Sequence, residues 1–152
     1  MKSKILPFSV LIIRKLIIAA ALSLATFNLA VSAVDSETNC LAKAIYFEAR
    51  GESNLGKVAV AKVVLNRVNS PKFPNTVCGV VYQKHQFSWT KKPTKIVNQQ
   101  AWAASVSLAN KAITTGLPKL KNFTALYFHS KSVKPNWKLT KIAKIGNHVF
   151  YA

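Results

Sequence analysis

The stretch Cys40-Leu-Ala-Lys-Ala-Ile-Tyr-Phe-Glu48-Ala-Arg-Gly51-Glu52 decides how the rest of the chain is read. Leu41, Ala44, Ile45 and Glu48 fall at i, i+3, i+4 and i+7, so they share one face of a helix. Ser36 to Asn39 offer N-caps before it, and Gly51 ends it soon after Arg50. A carboxylate therefore stands on an otherwise apolar helix face. Burial disfavours the charged form of such a group and raises its pKa, which suits a general acid lining a cleft. The alternative is a structural Glu48 paired with Arg50 or Arg67. Glu52, beyond the glycine, is either a supporting group in that cleft or an acid at the start of the next helix.

Outward from this stretch the chain reads as α+β. A second helix starts near Ser53 or Asn54, with Val60, Val63, Val64 and Val68 as its spine. β-branched residues are poor helix formers singly, so this helix must be buried. Asn69-Ser70-Pro71 stops it. Asn75 or Thr76 caps a short helix through Val81, and Tyr82 to Thr90 reads as a loop or short strand. A long helix follows from Thr94 or Asn98 to Thr115, with Ala101, Trp102, Ser105, Leu108, Ala109, Ala112 and Ile113 on one face. Gly116 and Pro118 close it. Ala125 to His129 then alternates with period two. Ile142–Ile145 and His148–Tyr151 flank a Gly146-Asn147 turn. The expectation is a mainly helical domain with a small C-terminal antiparallel sheet.

Composition limits the chemistry. The 152 residues hold 22 Lys plus Arg against four acids, a net charge of +18. The acids are Asp35, Glu37, Glu48 and Glu52, too few for a carboxylate-rich two-metal cage. Half of the residues are hydrophobic, enough to build a core. Residues 1–33 read as a signal peptide: Lys2, Lys4, Arg14 and Lys15 precede an apolar run from Leu16 to Ala30, and Val31-Ser32-Ala33 offers a cleavage site. The run is shorter than the roughly 20 apolar residues of a membrane span, so an uncleaved anchor is the lesser alternative. Cleavage takes the 22 basic residues to 18 and the net charge from +18 to +14. Asp35 and Glu37, near the new N-terminus, are expected to be mobile. Residues 34–152 form the expected single domain. An exported chain meets an oxidising compartment, where Cys40 and Cys78 are a candidate disulfide rather than two free thiols.

Two further groups carry candidate chemistry. Tyr82, Gln83, Gln86, Phe87, Ser88 and Trp89 set aromatic rings beside amides and a hydroxyl, which suits sugars: rings cover apolar pyranose faces and amides read hydroxyl and acetamido groups. His129, Trp137, Asn147 and His148 form the other. His85, His129 and His148 lack the local spacing of a zinc site, so no metal and no cofactor is expected.

In order, these blocks resemble one family. Cys40 to Glu52 is followed by Gly56-Lys-Val-Ala-Val-Ala and Val64-Leu-Asn66-Arg67-Val. Next come Phe73-Pro74-Asn-Thr-Val-Cys78-Gly-Val-Val-Tyr82-Gln83 and Gln86-Phe87-Ser88-Trp89. The end reads Tyr127-Phe-His129, Pro135-Asn-Trp137 and Ile145-Gly146-Asn147-His148-Val-Phe150-Tyr151. The set resembles the SleB-type cell-wall hydrolase family, over nearly all of Cys40 to Tyr151. The resemblance implies a lysozyme-like, lytic-transglycosylase-like domain acting on peptidoglycan, with Glu48 as the catalytic glutamate and Glu52 as the second acid of the motif. Tyr127 is a further candidate, hydrogen-bonding Glu48 or the sugar, and His129, Trp137 and His148 are candidate substrate contacts.

The expected reaction cleaves between N-acetylmuramic acid and N-acetylglucosamine. Ordinary glycosidases need two carboxylates across the bond. A lytic transglycosylase needs one, so acid scarcity favours 1,6-anhydro ends over the hydrolytic muramidase outcome. The rival classes are a non-catalytic basic envelope or nucleic-acid binder, using lysines such as Lys91, Lys92, Lys95 and Lys131, and a zinc amidase or peptidase. Export argues against nucleic acid. The expected partner is peptidoglycan, the expected location the periplasm or cell envelope, and the expected state a monomer.

Overall fold

The computed structural model describes residues 36–118 and 120–152; the expected signal peptide lies outside them. Four helices come first: α1 over residues 36–49, α2 Asn54–Val68, α3 Val77–Tyr82 and α4 Gln99–Thr114. A single 3-10 turn, Ser88–Lys91, stands in the loop before α4. Three strands end the chain: β1 Tyr127–Ser130, β2 Lys141–Ile145 and β3 His148–Tyr151. They form one antiparallel sheet in the order β1-β3-β2. The α+β expectation is met, with a loop and a 3-10 turn where a strand was the alternative.

α2 is the central element. Val60, Val63 and Val64 are wholly buried, each worth about 1.5–3 kcal/mol relative to exposure. One side of α2, with Ala61 and Val64, packs with α1, α3 and α4 around Leu41, Ile45, Val80, Val81 and Ala109. The other side, with Ala59, Val60 and Val63, packs with Phe123, Ala125 and Phe150 from the sheet region. A helix apolar on both sides needs neighbours on both, which is why its valines are tolerated.

Polar pins fix the remaining elements. Ser53 caps α2 by accepting from Gly56 N–H at 3.3 Å, and Thr76 caps α3 by accepting from Gly79 N–H at 3.0 Å. Asn98 caps α4 through Ala101 N–H at 2.9 Å, while the Tyr46 hydroxyl on α1 accepts from Val97 and Asn98 N–H. Asn66 on α2 donates to the carbonyls of Phe123 and Ala125 at 3.1 and 3.0 Å, and Arg67 Nε donates to Leu126 at 2.7 Å. α2 thus aligns the segment that enters β1.

The structure corrects two expectations near the start of the domain. α1 is already helical at residue 36, ahead of Cys40. Asp35 lies outside the described residues, but Glu37 is tied into the fold: its carboxylate accepts from Val77 N–H at 2.5 Å and Cys78 N–H at 3.4 Å, at the start of α3. An anion there satisfies two helix N–H groups that have no partner within the helix. Cys40 and Cys78 form a disulfide between the same two helices.

Candidate active site

Glu48, near the end of α1, lines a cleft of about 330 Å³. α2 supplies Arg67 to it. The loop after α3 supplies His85, Gln86, Phe87, Ser88 and Lys91, and the sheet supplies Phe128, His129, Ser130 and His148. His85 holds a left-handed backbone, φ 68°, at the cleft edge, a conformation that costs a non-glycine residue energy and is often stored at working sites.

Glu48 is the carboxylate lining this cleft. Burial pushes its carboxyl above the usual carboxylate range; the Trp89 indole N–H and the Arg67 charge oppose the rise and do not cancel it. Trp89 Nε1 is buried and closes no hydrogen bond of ordinary geometry among the described residues, so its influence on Glu48 is a near approach. Arg67 is only 4% exposed and is the charged neighbour of Glu48. Burial pulls the guanidinium down to about 10, with Tyr127 and Glu48 opposing, and leaves it cationic at neutral pH. It lies over the rings of Phe73, Phe87 and Tyr127 at 5.2, 5.7 and 6.0 Å. Its Nη1 is buried with no hydrogen-bond partner among the described residues. Arg50 instead donates to the Tyr46 hydroxyl at 3.4 Å and lies over that ring, so it is not the partner of Glu48.

Glu52 occupies a different place from Glu48. Its Oε2 accepts from Asn147 N–H at 3.1 Å, in the β2–β3 turn, and Oε1 stands 3.9 Å from His148 Nδ1. Gly146 takes φ 55° there, and a Cβ added to it would lie 1.7 Å from Glu52 Oε2. Glu52 therefore clasps the sheet hairpin to the α1–α2 elbow, and Gly146 is the residue that lets the carboxylate in. Burial lowers the pKa of His148; the Glu52 carboxylate opposes the shift, and proximity to His129 adds to it.

The histidines do different work. His129 Nδ1 meets the Ser130 carbonyl at 2.8 Å; a carbonyl only accepts, so Nδ1 carries the hydrogen. Nε2 is hydrogen-bonded with the Tyr151 hydroxyl at 3.0 Å. His85, His129 and His148 all line the cleft, yet among the described residues no three His, Cys, Asp or Glu side chains converge as metal ligands.

The candidate binding residues divide among three places. Gln86, Phe87, Ser88, His129 and His148 line the cleft with Glu48. Tyr82 and Trp89 line a neighbouring cavity. Tyr127 and Trp137 line a third, with Gln86 on its border. Trp137 packs edge-on against Tyr127, His129 and Tyr151, at 6.2, 5.5 and 5.7 Å between ring centres, and is 43% exposed. Gln83 lines none of these, and its Oε1 is buried with no hydrogen-bond partner among the described residues. In the sequence Arg67 stands out only as a partner for Glu48. Its signal was there: it follows Val60, Val63 and Val64 on the same helical stripe, so it had to be a buried charge.

Residues 51–151 match the family model described as Cell Wall Hydrolase. The chain belongs to the cell wall hydrolase family. This hydrolase domain is 35% identical over 119 residues to the spore cortex-lytic enzyme of Bacillus cereus, and 33% identical over 120 residues to that of Bacillus subtilis (strain 168). The alignments cover 76% of this chain but 44% and 37% of those proteins, so the chain spans less than half the length of the curated relatives it matches. In three dimensions it resembles the crystal structure of the catalytic domain of the Bacillus cereus SleB protein, with a TM-score of 0.61 at 34% identity. That match covers 78% of this chain and 91% of the other. It likewise resembles the catalytic domain of a germination-specific lytic transglycosylase, SleB from Bacillus anthracis, with a TM-score of 0.61 at 35% identity. The hydrolase domain thus has the catalytic-domain fold of those enzymes.

Proposed function

We propose that this domain cleaves peptidoglycan glycan strands between N-acetylmuramic acid and N-acetylglucosamine as a lytic transglycosylase, with Glu48 as acid and then base. The observation that carries this is the distribution of carboxylates. Glu37 is held at α3 and Glu52 in the β2–β3 turn, so Glu48 is the one carboxylate among the described residues that lines the cleft. Glu52, either a supporting acid or a helix-start acid by its sequence, accepts from Asn147 N–H beside His148, which supports a role in positioning the hairpin that carries His148.

The raised pKa of Glu48 keeps a share of the carboxyl protonated where a free glutamate would be ionised. Its proton goes to the glycosidic oxygen as the bond to the muramoyl C1 breaks, and an oxocarbenium-like centre develops. The Glu48 carboxylate then takes the proton from the same sugar's 6-hydroxyl, whose oxygen closes on C1. The product is a 1,6-anhydro end, no water is consumed, and Glu48 returns to its starting form. Gln86, Ser88 and His129 offer polar contacts for the sugar, and Phe87 and Phe128 offer apolar ones. The positive chain is exported to the periplasm or envelope and acts there as a monomer, drawn to the anionic wall by its charge rather than to nucleic acid.

The test is Glu48→Gln on purified peptidoglycan, with folding checked by circular dichroism. Loss of fragment release by at least about a hundredfold is expected for an acid–base residue. Release at the wild-type rate would remove Glu48 from the mechanism.

A further inference from the structure

A second cavity, of about 240 Å³, lies beside the Glu48 cleft. It is smaller than the roughly 300 Å³ at which whole-ligand pockets begin, so it suits one end of a longer molecule. Lys43 and Lys92 line it, and no lining residue is acidic. Lys43 is half-buried on α1, and its ammonium is tethered by donating to the Tyr82 hydroxyl at 3.3 Å, which leaves it two further donors. Thr90 and Thr94 add hydroxyls, and Phe47, Trp89 and Ile96 add apolar wall.

Trp89 connects the two cavities. Its ring stacks on Phe47, which lines the second, at 4.7 Å and 29° between planes. It also stacks on Phe87, which lines the first, at 5.9 Å and 27°. Phe47 and Glu48 are consecutive on α1, so the lysine cavity starts one residue from the carboxylate. A ligand seated at Glu48 with a branch toward Phe47 would meet the indole.

We infer that this cavity receives the peptide stem of the muramoyl residue, with Lys43 and Lys92 pairing its free carboxylates and the Trp89 rim carrying its backbone. The inference rests on the peptidoglycan reading above. The stem fits each requirement: it branches from the sugar at the scissile bond, it is anionic, and it alternates polar backbone with small apolar side chains. Occupancy would make the enzyme prefer strands that still bear stems.

The experiment compares two samples of the same purified glycan, freed of wall teichoic acid. One keeps its stems and the other is stripped by an amidase. The readout is the ratio of kcat/KM on stemmed strands to that on stripped strands. Wild type should show a ratio above one. In K43Q/K92Q the ratio should fall about tenfold, as expected for two partly exposed ion pairs, through KM rather than kcat. K43R/K92R should restore most of it. K57Q/K111Q, which removes two charges from a different face, should leave it unchanged. A ratio equal in wild type and K43Q/K92Q overturns the inference while leaving strand cleavage intact. An equal fall in K57Q/K111Q also overturns it, since the effect is then net charge. Cleavage of neither sample by wild type sinks the peptidoglycan reading itself, and this inference with it.

Discussion

Gly146→Ala should cost far more than a loop substitution usually does. The new methyl lies in a left-handed backbone, φ 55°, which costs about 1 kcal/mol or more for an L-residue. It would also stand 1.7 Å from Glu52 Oε2, so the carboxylate must leave. That breaks the 3.1 Å bond from Asn147 N–H, and a hydrogen bond to a charged group is worth about 1.5–3 kcal/mol. The sum is about 3 kcal/mol. With an unfolding entropy of about 2.1 cal/mol/K per residue, a domain of this size should lose about 12 °C in Tm. Glu52→Ala removes the same bond but not the glycine, so the two changes share one loss. The double variant should be less destabilised than the sum of the singles by about 2 kcal/mol. Thermal unfolding followed by circular dichroism measures all four corners. Strict additivity, or a Tm within about 2 °C of wild type for Gly146→Ala, would refute the assignment of Glu52 to the hairpin.

Other outcomes follow from the same geometry. The folded pKa of Glu48 is raised, so its contribution to stability is full below the unfolded value and is lost as pH rises through the folded value. Glu48→Gln should therefore gain on wild type in urea unfolding as pH rises across that window, and parallel profiles would contradict the buried acid. Opening the Cys40–Cys78 disulfide, by Cys78→Ser with Cys40→Ser, frees a loop of sequence separation 38, worth about 4 kcal/mol in the chain-entropy model. Denaturant midpoints with and without reductant check it: reductant should bring wild type down to the variant.

Local signals in the sequence carried most of the fold. Ser53, Thr76 and Asn98 are caps of the expected helices, Gly116 follows α4 with φ 87°, and Gly146-Asn147 turns between β2 and β3. Glu48 was legible too, because one apolar stripe with one carboxylate in it is a pattern within a single helix. What escaped was long-range. The clasp from Glu52 to Asn147 spans 95 residues, and Glu37 reaches 40 residues to α3; neither leaves a periodic trace. The aromatic group read as one sugar surface is divided because Trp89 is a partition rather than a floor. Tyr82 lines one cavity and Phe87 the other.

If one carboxylate does both proton transfers, the mass of the product records it. Purified peptidoglycan is digested to completion by the wild-type domain, and the released muropeptides are analysed by mass spectrometry without prior reduction. The muramoyl ends should be lighter than the hydrolysed species by one water and inert to borohydride, and all should be absent with Glu48→Gln. Reducing ends that carry the added water, formed by wild type, would contradict the one-carboxylate route, since a hydrolytic route would then be operating at Glu48.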